Sequence, residues 1–140
     1  MVDKMRKRLL AIASVSLVFG FVACAELVGL DYDGAGEYQL ETLNGFRLPT
    51  VVYQDAFEQD ELLSETIRLY SDGSYTDDYT LRVSSSSGQS TQTYRDVGTY
   101  TRYDTQLQFI DGNTGDAFNG ELNGRTLTIT QDGSFYVYRR

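Results

Sequence analysis

From Gly36 to Arg140 apolar and polar side chains alternate with a period of two, and glycine-containing pairs break the alternation at short intervals. That period belongs to a β-strand with one dry and one wet face. It predicts strands over 36–43, 47–54, 63–71, 74–83, 92–102, 106–111, 116–122, 125–131 and 134–139. Between them stand Asn44-Gly45, Asp72-Gly73, Asp111-Gly112, Asn123-Gly124 and Asp132-Gly133. Such pairs suit type I′ turns, in which both central residues take positive φ, and hairpins make neighbouring strands antiparallel. No 3.6-residue apolar period is sustained, so almost no helix is expected.

Alternation assigns the faces. Tyr38 and Leu40, Ile67 and Leu69, Tyr75, Tyr79, Leu81 and Val83, Leu107 and Phe109, Phe118 and Leu122, and Leu127 and Ile129 should point inward. Glu37, Gln39, Glu41, Thr76, Asp78, Arg82, Gln108, Thr126 and Thr128 should face water. One wet and one dry face per strand predicts an all-β fold: a small antiparallel up-and-down barrel of about eight strands. A two-sheet β-sandwich satisfies the same pattern. Pro49 makes the second strand an edge or bulged strand, and Gly98 implies a bulge or a close backbone approach. Residues 55–61 read as a short acidic loop, and 84–90, a run of Ser, Gly and Gln, as a mobile one.

The first residues follow another grammar. Lys4, Arg6, Lys7 and Arg8 precede an apolar run from Leu9 to Ala23, which ends in small residues at Cys24, the only cysteine. This order is that of a secretory signal, and the run is short for a transmembrane helix. Phe21-Val22-Ala23-Cys24 resembles the lipobox of bacterial lipoproteins, with Phe21 where Leu is usual. The resemblance implies a signal peptide over 1–23, a lipid on Cys24, a tether over 24–35 and a β-barrel domain over 36–140. Ala25, where an Asp would be the retention signal, implies the outer membrane of a two-membrane envelope. The alternative is A-x-A cleavage after Ala25, which yields a secreted or periplasmic protein.

Charge changes once the leader is set aside. It holds four of the twelve basic residues and one of the twenty acidic ones, so the remaining 117 residues carry 8 basic and 19 acidic groups, a net charge of −11. Nucleic acid and anionic lipid surfaces would repel that charge. After Cys24 there is no Lys, Met, His or Trp. Without His or Lys the commonest general base and the Schiff-base amine are missing, and an acylated Cys24 is no nucleophile. No enzyme and no cofactor are expected. One cysteine permits no disulfide framework, so the fold must rest on an apolar core.

Gly36-Glu37-Tyr38 at the start of a hairpin meander, with Arg139 in the last strand, is similar to the lipocalin-like (calycin) pattern of Gly-x-Trp and a late Arg over its ring. Here Tyr38 replaces the Trp. The resemblance implies a barrel closed by a contact between Tyr38 and Arg139, and a small hydrophobic or amphipathic ligand inside it.

Two stretches carry candidate chemistry. Asp111-Gly112-Asn113-Thr114-Gly115-Asp116 has the opening of a calcium loop, but Gly115 stands where a ligand belongs and Asp116 where the glycine belongs, so it reads as a hairpin loop and no metal site is expected. Asp77 matters more. The period that turns Tyr75 and Tyr79 inward turns it inward too, and a buried carboxyl needs a partner or water. A polar mouth lined by Tyr75, Asp77 and Tyr79 above an aliphatic floor resolves the conflict. Membership of the envelope as a ligand-free structural or protein-interaction module is the competing reading; it requires a filled interior and an exposed apolar edge or patch.

Overall fold

The structure, a computed structural model, describes residues 34–140. Cys24, the signal segment and most of the tether lie outside the described residues. Ten strands follow one another: β1 Gly36–Leu43, β2 Phe46–Arg47, β3 Thr50–Gln54, β4 Glu58–Leu69, β5 Ser74–Ser85, β6 Gly88–Tyr103, β7 Gln106–Asp111, β8 Ala117–Asn123, β9 Thr126–Gln131 and β10 Ser134–Arg139. All pairings are antiparallel, in the order β2-β1-β10-β9-β8-β7-β6-β5-β4-β3, and an added β1–β4 pairing closes the sheet on itself. Eight strands form the barrel, and β2 and β3 are extra. The sandwich alternative is thereby set aside.

Closure runs for only part of the barrel's height. Gly36 to Gln39 pair with Thr66 to Leu69, while the far end of β1 pairs with β2 and the far end of β4 with β3. The second expected strand is therefore two strands, divided at the cis Leu48-Pro49 bond. β4, β5 and β6 are much longer than β7 to β10. Residues 88–97 of β6 pair with β5 alone, so β3 to β6 rise as a tall wall over one side of the barrel's end. Residues 84–90, expected as a loop, belong to this hairpin, with only Ser86 and Ser87 between its strands. The cross-strand ladder satisfies backbone groups that a Ser/Gly-rich loop would leave to water. The acidic loop likewise shrinks to residues 55–57, where the Asp55 carboxylate accepts the amides of Phe57 and Glu58.

The inward set is the expected one at its centre. Tyr38, Leu40, Ile67, Leu69, Tyr75, Leu107, Phe109, Leu122, Leu127 and Ile129 are buried, joined by Leu43, Leu62, Tyr100 and Tyr138. Two bulges adjust the parity: one between Leu62 and Ser64, one between Leu40 and Thr42. Each inserts one residue and lets a second apolar side chain, Leu62 or Leu43, reach the interior. Only two glycine pairs form the expected turn with both residues at positive φ, Asn44-Gly45 and Asp132-Gly133. At the others a glycine alone is at positive φ, Gly73, Gly115 or Gly124, because the loop is longer or its register is offset. Asp111 is part of a hairpin loop, as expected; its carboxylate accepts the amides of Asn113 and Thr114.

The Tyr38–Arg139 closure is corrected. Tyr38 is fully buried and donates to the Gly34 carbonyl at 2.7 Å, whereas Arg139 lies outside and bonds the Glu41 carboxylate. Alternation explains this: Tyr138 takes the inward position of β10, so Arg139 must face out. Closure comes from the β1 ladders instead.

Candidate functional site

The two ends of the barrel differ. In the packed part Tyr75, Phe109 and Phe118 pack edge-on and face-on, with ring centroids 4.9 to 6.3 Å apart, the Tyr100 ring lies 6.0 Å from Phe109, and Phe118 also reaches the cavity. Gly98 makes room for this cluster, since a Cβ there would enter the Tyr75 ring. Toward the other end, under the tall wall, the barrel holds a cavity of about 300 Å³. Val52 and Asp132, both exposed, are among the residues that line it. Its apolar lining comes from Leu43, Leu62, Ile67, Leu81, Phe118 and Ile129.

The polar lining is one-sided in charge. Glu65, Asp77, Asp96 and Asp132 contribute carboxyls, and Tyr79, Tyr136 and Tyr138 contribute rings and hydroxyls. Among the described residues no arginine lines it. The strands place these groups by register: Glu65 on β4 faces Tyr79 on β5, Ile67 faces Asp77, and Asp77 faces Asp96 on β6. Tyr136 and Tyr138 stand two apart on β10, rings stacked at 6.3 Å, opposite Leu43 and Leu40 of β1. On the wall above, Tyr79 stacks on Tyr94 with centroids 5.2 Å apart.

Burial sets the electrostatics. Desolvation, then the charges of Glu65 and Asp96, push the Asp77 carboxyl up to about 8. Desolvation pushes Glu65 up to about 6, against a hydrogen bond from the Tyr138 hydroxyl that lowers it. Asp77 accepts no hydrogen bond among the described residues, and its Oδ1 is fully enclosed. Asp96, nearer the rim, takes a 3.3 Å bond from the Asn113 amide. The outer acids behave oppositely. Glu37 and Asp78 pair with Arg68 and Arg95, whose hydrogen bonds hold both carboxyls below the usual range.

Of the three expected mouth residues, Asp77 and Tyr79 line the cavity and Tyr75 does not. Tyr75 is buried in the aromatic cluster below, because Gly98 opposite it leaves the ring space to lie flat against the core. Glu65, Tyr136 and Tyr138 were not expected there. For Glu65 the signal was present, since it stands two residues before Ile67 on the same face. No protein-family profile matches the chain, and no curated protein is similar to it.

Proposed function

We propose that this chain is a lipid-anchored binding module of the cell envelope, tethered through Cys24 and holding a small hydrophobic or amphipathic molecule in the mouth of a lipocalin-like barrel. The observation that carries it is the open cavity of about 300 Å³, lined by apolar side chains, tyrosines and acids, beside a buried hydrophobic core. Ligand sites have this composition, an apolar concavity with a few convergent polar groups, and barrel mouths are a common place for them. A shallow site of this size takes part of a small molecule and not a whole lipid.

Anchoring is supported by the basic, apolar and small-residue order before Cys24. Cell fractionation tests it: the native chain should sediment with outer membranes, and Cys24→Ser should leave the membrane or remain unprocessed. A processed Cys24→Ser protein still bound to membranes would sink this part of the proposal.

A second reading, an interaction module, has its own support. Phe46, Val51, Tyr53 and Phe57 are exposed on and beside β2 and β3. Paired changes Phe46→Ser and Phe57→Ser should release a protein partner if docking is the role, and leave ligand affinity in the mouth unchanged.

A further inference from the structure

Resting on the reading of the mouth as a pocket, we propose that its ligand is a small organic cation, an aryl- or alkylammonium whose positive head meets Glu65, Asp77 and Asp96 and whose apolar body lies along Tyr79, Leu62 and Leu81.

The charges of the molecule are sorted by face. Four arginines, Arg68, Arg82, Arg95 and Arg139, are paired with carboxylates on the barrel's exterior. Among the described residues the cavity receives acids and no base. Glu65 is only 9% exposed and faces the cavity, yet beyond the Tyr138 hydroxyl it has no hydrogen-bond partner among the described residues. Asp77 has none at all among the described residues; its Oδ1 is enclosed, but the residue is only partly buried and lines the cavity. Two inward carboxyls with unused acceptor capacity, in an open cavity, call for a donor that comes from outside the chain.

A cation satisfies every feature of the lining at once. Its N–H groups meet the unused oxygens, its charge is opposite to that of the acids, and tyrosine faces attract it through their quadrupoles. A metal ion fits less well: among the described residues no three acidic side chains converge closely enough to hold one. An anion would meet Glu65, Asp77, Asp96 and Asp132 with nothing to balance them.

Empty, the pocket holds protons in place of the cation. Burial keeps Asp77 protonated up to about 8, and Glu65, across from Tyr79 and bonded by Tyr138, up to about 6. Asp96, Asp132, Tyr136 and Tyr138 are the other titratable groups facing this pair. An arriving ammonium exchanges with those protons, so its affinity rises from pH 5 to pH 8 and binding at neutral pH releases protons to the buffer.

The test uses three probes of matched shape, 2-phenylethylammonium, 2-phenylethanol and 3-phenylpropanoate, titrated by calorimetry into the full chain in lipid nanodiscs, with empty nanodiscs as the blank. The ammonium should bind at least about tenfold more tightly than the alcohol at pH 8, and the carboxylate most weakly. The preference should shrink at pH 5, and proton release should appear as a dependence of the heat on buffer ionisation enthalpy. Asp77→Asn should bring the ammonium's affinity down toward that of the alcohol. Equal affinities for ammonium and alcohol, a preference for the carboxylate, or calcium binding that displaces the ammonium would each overturn the cation assignment. Failure of all three probes to bind would overturn the pocket itself.

Discussion

Asp77 and Asp96 stand directly opposite each other across β5 and β6, and both face the cavity. Like charges in that relation repel, and a strand pair avoids the cost only if one of them stays neutral. The arrangement is a device for keeping a proton inside a barrel whose outer surface is strongly anionic.

Stability should therefore fall as pH rises from about 5 to about 8. The folded chain keeps the Asp77 proton up to about 8, while the unfolded chain loses it near the ordinary Asp value, so the stabilisation is complete below about pH 4 and is lost as pH rises through about 8. Glu65 acts with the same sign up to about 6. The outer acids Glu37 and Asp78, held low by arginines, act with the opposite sign below about pH 4. Thermal melts should show a maximum near pH 5, a decline toward pH 8.5 of at least about 1 kcal/mol, and a flatter decline in Asp77→Asn. An unchanged melting temperature between pH 5 and 8.5 in the native chain would contradict the burial of this carboxyl.

Tyr138→Phe removes the hydroxyl that Glu65 accepts from. Leaving a buried carboxyl without that donor should cost about 1 to 3 kcal/mol in urea unfolding. Because the hydroxyl bond lowers the Glu65 pKa, the variant should also titrate higher than the native chain, which carboxyl carbon-13 NMR reads directly.

Gly98→Ala tests the floor under the pocket. Its Cβ would lie 2.6 Å from the Tyr75 ring and closer still to the Ile110 carbonyl oxygen, and backbone on one side cannot yield. A loss of about 1 to 3 kcal/mol is expected, with the aromatic ring resonances shifted. Native-like stability would mean that Tyr75 is not packed there.

Gly133→Val tests the turn between β9 and β10. Gly133 has φ 77° beside Asp132 at φ 50°, and a Cβ there meets no neighbour within 4 Å, so the penalty is one of backbone conformation alone. It should be about 1 to 2 kcal/mol, visible as a lower melting temperature with the fold retained.

Much of the barrel was legible because alternating strands and glycine turns leave few alternatives. β1, β7, β9 and β10 begin and end within about a residue of the expected bounds, and Asp77 is inward because Tyr75 and Tyr79 are. What escaped notice has local causes. Leu62-Leu63 cannot reveal which leucine turns inward, since the bulge there depends on the partner strand. Phe135-Tyr136-Val137-Tyr138 is apolar on both faces, so its inward pair, Tyr136 and Tyr138, emerges only from the register with β1. The long hairpin escaped for the opposite reason: Ser84 to Ser90 has almost no apolar content, and its strand state is supplied by the neighbouring ladder rather than by propensity.

The partial lacing of β1 to β4 has a mechanical consequence. Among the described residues only the four from Gly36 to Gln39 bridge that seam. Past them the two margins bond to separate short strands, β2 and β3, which do not bond to each other. The base thus behaves as a rigid hoop and the rim as a split cuff. Widening the rim there would displace side chains such as Val52 without breaking a single rung between the two margins.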